Sequence, residues 1–185
     1  MSAVDKGVKS TIEFIKELIL ILLAAFLFIN FIFSHNKIPT RSMVSTINPN
    51  DHIITNILPY YYRDPDYGEI VVFHMPNEQN WVKRVIGKPG DVIDIIDGYV
   101  YRNGEQIDES AYVEQEGVSE PRLGPDSTPR EFPFTVPEGE YFLMGDNRLE
   151  SLDCRYLEVG LIKREQIYGK GWIKIYPFNE VGVLE

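Results

Sequence analysis

The feature that most constrains this chain is a long apolar run near its N-terminus. Between Leu18 and Phe33 the only polar residue is Asn30, and the run extends back to Phe14 with one charged pair inside it. A helix of about 20 such residues is long enough to cross a hydrocarbon core of about 30 Å. We therefore predict a transmembrane helix at 14–34 that remains attached to the rest of the chain.

Two other interpretations of the apolar run are weaker. A cleavable signal peptide has an apolar region of about 7–15 residues followed by a small-residue cleavage site. This run is longer, and residues 31–36 contain no Ala-x-Ala pattern. A helix packed on a small domain would keep a polar face, whereas this run is apolar on every face.

The charges around the run indicate its orientation only weakly. Three lysines precede Leu18, and Lys37 and Arg41 closely follow Phe33. Under the positive-inside rule this pattern slightly favours a cytoplasmic N-terminus. We predict a single-pass protein of the cell membrane, with a cytoplasmic tail at 1–13 and a domain at 35–185 on the extracytoplasmic side.

The domain at 35–185 carries all of the net charge. The formal charge of the chain is −10, and the three basic and three acidic residues in 1–34 cancel, which leaves 15 basic and 25 acidic residues. Nucleic-acid binding requires Lys and Arg to neutralise phosphates. We therefore expect no nucleic-acid partner.

Beyond residue 35 the apolar pattern changes to short extended runs rich in Ile, Val, Phe and Trp, which are typical of strands. Asp-Gly at 97–98 and Asn-Gly at 103–104 follow two of these runs. Such pairs supply the positive φ of two-residue hairpin turns, so we predict a three-stranded meander beginning at residue 91. Further strands are predicted at 51–58, 69–74, 80–86, 132–136, 141–144 and 166–176, with a surface excursion at 114–130. The predicted fold class is mainly β, an antiparallel β domain with an N-terminal transmembrane helix.

Three segments contain polar residues that a β core does not require. They are 38–47, which follows the apolar run, 81–91 and 144–155. Each has an ordinary structural explanation when taken alone. Ser42 lies in a Pro-containing loop where serine often forms turns, and residues 145–148 could form a turn with Asx hydrogen bonds.

Lys83 is the most informative residue of the second segment. It lies inside the apolar run 81–86, next to Arg84, and neighbouring strand residues point to opposite faces, so one of the two could face inward. An inward lysine loses hydration, which lowers its pKa. A neutral amine can then accept the proton of a serine hydroxyl. The alternative, which the segment alone favours, is a solvated lysine at a strand edge that discourages aggregation.

In this order, behind an apolar helix, the three segments resemble the bacterial type I signal peptidases in their short, single-anchor form. The resemblance extends to about Trp172. It is carried by Ser-Met at 42–43, by Lys-Arg-Val-Ile-Gly-x-Pro-Gly-Asp at 83–91, and by Gly-Asp-Asn-Arg-x-x-Ser-x-Asp-x-Arg at 145–155. It implies a β-rich peptidase domain at 35–185. It also implies a membrane-bound serine endopeptidase that removes N-terminal signal peptides from exported preproteins, cutting after Ala-x-Ala with a Ser-Lys dyad.

The resemblance implies roles for individual residues. Ser42 matches the nucleophile and Lys83 the general base. Thr40 and the backbone N–H of Ser42 match the oxyanion hole, and Ser151 matches a residue that orients the lysine. The remaining matches are the structural supports Asp153, Arg155, Asp146 and Arg148, and the walls of shallow substrate pockets, Ile38 and Val82. Shallow apolar pockets favour small side chains because larger ones clash.

Three residues depart from the family pattern without removing a catalytic group. Arg41 stands where the family often has Gly or another small or polar residue, and Ser45 replaces a usual proline. A cation at Arg41 would oppose protonation of Lys83 and fits the mechanism if its side chain points away. Cys154, the only cysteine, replaces a common Ser, which favours a small semi-buried residue over a thiol nucleophile.

The expected partners are signal peptides of secreted preproteins and membrane lipid, with the protein export machinery as a further candidate. Tyr60–Tyr62 could enter the lipid interface, where tyrosine is favoured. We expect no cofactor and no metal, because the three histidines, His35, His52 and His74, have no recognised ligand spacing.

Three other functions stay open at this point. The first is a specialised peptidase with the same chemistry and a narrow range of clients. The second is a membrane-tethered β domain without catalysis, for which Ser42 and Lys83 would be dispensable. The third is a soluble self-cleaving regulator with the same dyad, which the apolar run and the acidic charge disfavour.

Overall fold

The computed structural model describes residues 3–76, 79–122 and 127–184, with no side-chain description for 3–10. It begins with one long helix, α1 (Ala3–Ile32). Apolar side chains of α1 are exposed along its length, for example Leu20, Phe28 and Phe31. Within this described part of the chain, no helix combines the length and hydropathy required of a membrane-crossing segment. The predicted transmembrane helix at 14–34 and its single-pass topology are therefore not confirmed.

The described residues after α1 form a domain of twelve strands. Their bounds are β1 (Phe33–Lys37), β2 (His52–Asn56), β3 (Ile70–His74), β4 (Asn80–Gly87), β5 (Val92–Ile96), β6 (Tyr99–Arg102), β7 (Glu105–Gln106), β8 (Phe134–Thr135), β9 (Glu140–Met144), β10 (Ile162–Lys163), β11 (Ile167–Tyr176) and β12 (Gly182–Val183). Short 3-10 helices lie at Leu58–Tyr61, Arg164–Gln166 and Phe178–Glu180.

Two antiparallel sheets contain these strands. The larger has the order β1-β2-β11-β3-β4-β9-β10, with β12 paired to β11, and the smaller has the order β7-β6-β5-β8. The mainly β, antiparallel fold class is thus confirmed. The long strand β11 holds the larger sheet together, since it pairs with β2, β3 and β12 and connects the first and last parts of the chain.

The predicted meander is confirmed in the smaller sheet. Asp97 and Gly98 connect β5 to β6 with φ angles of 51° and 80°, and Asn103 and Gly104 connect β6 to β7 with 55° and 85°. These values place all four residues in the left-handed region that tight hairpin turns require. The Asp-Gly and Asn-Gly pairs therefore correctly predicted the two points at which this part of the chain reverses direction.

The hydrophobic core has two clusters. The larger joins both sheets, with Val85 and Leu143 from one and Ile93 from the other. The smaller lies under the segment 38–47, whose Met43 and Ile47 are fully buried against the larger sheet. Each such side chain contributes about 1.5–3 kcal/mol by leaving water, so this polar-looking loop is firmly attached.

The surface positions predicted for two segments need correction. Residues 114–130 are not all at the surface, because Val118 and Ser119 are buried and Ser119 Oγ accepts a hydrogen bond from Arg148 at 2.8 Å; residues 123–126 lie outside the described part. In the segment Tyr60–Tyr62, Tyr60 is buried, and its hydroxyl donates a hydrogen bond to Glu69 at 3.1 Å. Tyr61 and Tyr62 are 67% and 83% exposed.

Candidate active site

Ser42 lies in the loop between β1 and β2, on the segment that Met43 and Ile47 fasten to the core. A short turn stiffens this loop, because Ile47 N donates to Met43 O at 2.7 Å and Val44 N donates to Arg41 O at 3.1 Å. The Ser42 carbonyl oxygen accepts a hydrogen bond from Asn147 N at 3.1 Å. The backbone of Ser42 is therefore held both by its own loop and by Asn147, while its side chain is only partly buried.

Lys83 reaches this serine from the middle of β4. Its Nζ lies 2.8 Å from Ser42 Oγ and 3.1 Å from the carbonyl oxygen of Val82. The same Nζ lies 5.3 Å from the centre of the Trp81 ring. Lys83 is buried, so it is the inward lysine that strand alternation allowed, and the solvated-edge alternative is wrong.

Burial lowers the pKa of Lys83 from 10.5 to about 8, because the charged form is the one that loses hydration. The carboxylates of Asp153 and Asp146 act in the opposite direction, and the Arg155 guanidinium adds to the lowering. Burial outweighs the nearby carboxylates. Arg41 is paired with Glu150, with its Nε 2.8 Å from Glu150 Oε2.

Thr40 lies two residues before the serine and is exposed. Within the described residues, neither Thr40 Oγ1 nor Ser42 N has a hydrogen-bond partner in the structure. Both donors are therefore available to an oxygen atom placed beside Ser42 Oγ.

A cleft of about 610 Å³ opens over the two residues. One wall is formed by residues 36–43, the other by residues 79–83, and Glu150 and Leu152 complete the lining. Asn80 Nδ2 donates to Asn36 Oδ1 at 3.2 Å, which connects the two walls. Ile38 and Val82 line the cleft from opposite walls and are largely buried. The two predicted pocket residues therefore both line the cleft that contains Ser42 and Lys83.

Asp153 and Arg155 form a buried, two-contact ion pair behind the lysine. Arg155 Nε lies 2.8 Å from Asp153 Oδ1, and Nη2 lies 2.9 Å from Oδ2. Burial alone would raise the pKa of Asp153, but the Arg155 guanidinium and the N–H of Gly145 hold it below the usual value. Removing one partner of such a pair typically costs about 3–5 kcal/mol.

Asp146 and Arg148 do not pair with each other, and each has a partner that the sequence did not indicate. Arg84 makes two contacts of 2.8 Å with Asp146, and its guanidinium stacks 4.1 Å from the Tyr112 ring. Arg148 makes contacts of 2.7 and 2.6 Å with Glu109. Both Lys83 and its neighbour Arg84 are thus buried, because β4 is covered on both faces.

Ser151 is fully buried and close to Gly145, yet it makes no hydrogen bond to Lys83. Its Oγ has no hydrogen-bond partner among the described atoms. The predicted contact between Ser151 and the lysine is therefore absent from the described residues in this conformation.

Sequence reasoning missed four residues that shape the site. Arg84 and Asn147 could have been identified from the sequence, since both lie inside the polar segments, next to residues that were predicted. Thr46, whose hydroxyl donates to Asp146 at 2.6 Å, lies in the first segment but was not distinguished from a turn residue. Glu109 had no local signal, because its partner Arg148 is 39 residues away.

Cys154 is buried rather than semi-buried, and burial raises its pKa to about 12. A thiol that stays protonated is a poor nucleophile. Within the described ranges, no group of three His, Cys, Asp or Glu side chains could hold a metal ion.

With this geometry established, comparison with known proteins identifies the family. Residues 11–176 match the family model described as "Signal peptidase, peptidase S26". The chain belongs to this family. It is 34% identical to Signal peptidase I S of Bacillus subtilis (strain 168) over 94% of this chain and 93% of that protein. Signal peptidase I T of the same organism is 32% identical, over 95% and 91%.

One solved structure is also similar to part of the chain. It is a signal peptidase I from Enterococcus faecalis, 30% identical over 58% of this chain and 97% of that chain, with a TM-score of 0.43. The family assignment rests on the sequence matches, which cover nearly the whole chain. As a member of the family, the chain is a serine-type peptidase and therefore a hydrolase.

Proposed function

We propose that this peptidase removes N-terminal signal peptides from exported preproteins and cuts after the second Ala of Ala-x-Ala, with Ser42 as nucleophile and Lys83 as base. The single observation that carries the proposal is the 2.8 Å distance between Ser42 Oγ and Lys83 Nζ. The names of the relatives, Signal peptidase I S and Signal peptidase I T, support the substrate class.

In the first half of the reaction, neutral Lys83 takes the proton of the Ser42 hydroxyl while Oγ attacks the scissile carbonyl carbon. The carbonyl oxygen becomes an oxyanion. In this proposal the oxyanion is stabilised by Ser42 N–H and the Thr40 hydroxyl, both of which are available as donors. A donor of this kind typically contributes ~3–4 kcal/mol, because it meets charge that develops only in the transition state. The C–N bond then breaks, and the Lys83 ammonium protonates the departing amine of the mature protein.

In the second half, a water molecule hydrolyses the ester between Ser42 and the signal peptide. Lys83, neutral again, takes one proton from the water as the water oxygen attacks the ester carbonyl. The ester C–O bond breaks, and the proton returns to Ser42 Oγ. The signal peptide leaves as a carboxylic acid, which releases the second proton of the water to solvent and becomes a carboxylate, and the site is restored.

The surrounding residues act as positioning residues in this proposal. Asp153 and Arg155 fix the wall behind the lysine, and Asp146 and Arg148 fix the loop that holds the Ser42 carbonyl. For Ser151 we propose that its unpartnered hydroxyl turns toward Lys83 when substrate binds, since a buried hydroxyl without a hydrogen bond is unfavourable.

The walls of the cleft support the proposed cleavage after Ala-x-Ala. Ile38 and Val82 offer small apolar surfaces on opposite sides of the path that leads to Ser42. Side chains of alanine size fit between such walls, and larger ones clash with them.

We further propose that lipid is a partner and that the exposed apolar side chains of α1 contact it. Leu20, Ile21 and Leu22 are exposed, and this much apolar surface is unusual for a protein surrounded only by water. Only the short strand β1 and four residues separate α1 from Ser42, so substrate and site would meet near the lipid surface. The cell-membrane location, the cytoplasmic N-terminus and a contact with the export machinery stay predictions.

The proposal is tested by incubating the purified full chain with a preprotein whose signal ends in Ala-x-Ala and sequencing the new N-terminus. We expect cleavage after the second Ala, and a loss of at least about 10³-fold in Ser42→Ala and Lys83→Ala, because both groups act as one unit. Lys88→Ala is the matched control, since Lys88 pairs with Asp66 outside the cleft. Full activity in either dyad variant would exclude the mechanism.

A further inference from the structure

A pair of charged side chains at the cleft has no part in the reaction proposed above. Arg41 and Glu150 both line the cleft that contains Ser42 and Lys83. Arg41 Nε lies 2.8 Å from Glu150 Oε2, and the two side chains are 64% and 52% exposed. An exposed pair of this kind contributes little to stability, so its position beside the nucleophile calls for another explanation.

Asn147 connects the backbone segments that carry the two charged side chains. Asn147 Nδ2 donates to the Arg41 carbonyl oxygen at 3.1 Å, and the Asn147 carbonyl oxygen accepts a hydrogen bond from Glu150 N at 3.2 Å. The two charged side chains therefore project from a firm base, and their positions relative to Ser42 are set by the loops rather than by the ion pair.

The ion pair uses only part of the hydrogen-bonding capacity of Arg41. The contact is made by Nε, and in the described part of the chain the two terminal nitrogens, Nη1 and Nη2, have no recorded partner. A guanidinium with two free nitrogens can bind a carboxylate through both of them. Glu150 positions this guanidinium without saturating it.

We assign Arg41 to the part of the substrate that follows the cut. In the proposed function, Ile38 and Val82 contact residues before the cut, so the rest of the cleft lining, which includes Arg41 and Glu150, is left for the residues after it. Because Arg41 is adjacent to Ser42 in the chain and its side chain is exposed, its guanidinium can reach the first residues after the scissile bond.

We propose that Arg41, positioned by Glu150, is a specificity residue that favours preproteins with an acidic side chain at the first or second position after the cut. This inference rests on the proposed function. The ligand class is a carboxylate at the start of the mature protein, and the contact is a charge-assisted hydrogen bond at a solvent-exposed site.

The test uses full-length protein and three peptides that share one Ala-x-Ala sequence and carry Glu, Gln or Lys at the second position after the cut. For an exposed charge pair we expect kcat/KM to be about 2- to 5-fold higher for the Glu peptide than for the Gln peptide, and lowest for the Lys peptide. The difference should lie mainly in KM and should shrink at high salt.

Variants of Arg41 show whether its side chain recognises the acidic substrate residue or only supports the loop that carries Ser42. Arg41→Gln should bring the Glu-to-Gln ratio to about 1, and Arg41→Lys should keep part of it, since the charge remains without the planar fork. Arg63→Gln, which alters an exposed arginine paired with Glu69 outside the cleft, should leave both the ratio and the activity unchanged.

Each other result overturns the inference. If wild type cleaves the three peptides equally, or if Arg41→Gln slows all three and keeps the ratio, Arg41 is not a specificity residue while the proposed function stands. If wild type cleaves none of them, the proposed function fails and the inference fails with it.

Discussion

Burial of Lys83 changes the protonation equilibrium of its side chain. A solvated lysine is almost fully protonated at neutral pH and cannot accept a proton from serine. In this site burial outweighs the carboxylates of Asp153 and Asp146, so the pKa falls from 10.5 to about 8. At pH 7 about one-tenth of the molecules then have a neutral amine, and at pH 9 about nine-tenths do. We therefore expect activity to rise with pH through about 8.

The same comparison at the residue scale explains why Cys154 is inert. Burial disfavours whichever form is charged, so it lowers the pKa of an amine and raises that of a thiol. The pKa of Lys83 falls to about 8, so part of it has a neutral amine near neutral pH, whereas the pKa of Cys154 rises to about 12 and its thiol stays protonated. One physical effect therefore shifts the pKa values of these two neighbouring buried groups in opposite directions.

At the scale of elements, the site is produced by the docking of two loops. The loop 38–47 carries Ser42, and the loop after β9 begins with Gly145. A Cβ atom at Gly145 would overlap both the Ser42 carbonyl oxygen and Ser151 Oγ. The two loops approach this closely only because residue 145 has no side chain.

We predict that Gly145→Ala separates the loops and moves Ser42 away from Lys83. A displacement of about 1 Å can cost on the order of 10²-fold in rate, so kcat should fall by at least that factor. Gly182→Ala is the matched control, because a Cβ at Gly182 meets no atom. Thermal melting of both variants, measured beside the cleavage assay, distinguishes a displaced site from an unfolded domain. Wild-type kcat in Gly145→Ala would contradict the docking account.

The elements that could be predicted from sequence are those determined by local chemistry. The meander β5-β6-β7 follows from two turn pairs, and β4 follows from its apolar run. β1 was not predicted, because Phe33–Lys37 is mostly polar and becomes a strand by pairing with β2. The contacts of Arg84 with Asp146 and of Arg148 with Glu109 join residues 62 and 39 positions apart, and no local pattern encodes them.

At the scale of the whole molecule, α1 is joined directly to the peptidase domain. α1 passes directly into β1, and the Phe33 ring stacks on Trp172 of β11 at 5.5 Å. The start of the larger sheet is therefore tied to the end of the helix. If α1 associates with lipid, the cleft lies close to the membrane surface, where a signal peptide also lies, and sharing that surface raises their effective concentration.

This arrangement predicts that the full chain floats with neutral phosphatidylcholine liposomes and stays bound at high salt. Replacing Leu20, Ile21 and Leu22 by Lys should lower the bound fraction strongly, because membrane binding scales with the apolar area that is buried in the lipid. For comparison, Tyr61 and Tyr62 are replaced by Ser. We expect a smaller decrease in the bound fraction, which would measure how much the peptidase domain contributes to liposome binding. Unchanged flotation of the α1 variant would contradict a lipid role for the helix.

The central claim is that a neutral Lys83 activates Ser42, and the pH dependence of kcat/KM tests it most directly. This quantity reports the pKa of the free enzyme's essential base. For cleavage of an Ala-x-Ala preprotein between pH 6 and 10, we predict a tenfold rise per pH unit at the acid end and a plateau above a midpoint of about 8. A rate that does not change over this range, or that rises only near the ordinary lysine pKa of 10.5, would contradict the account.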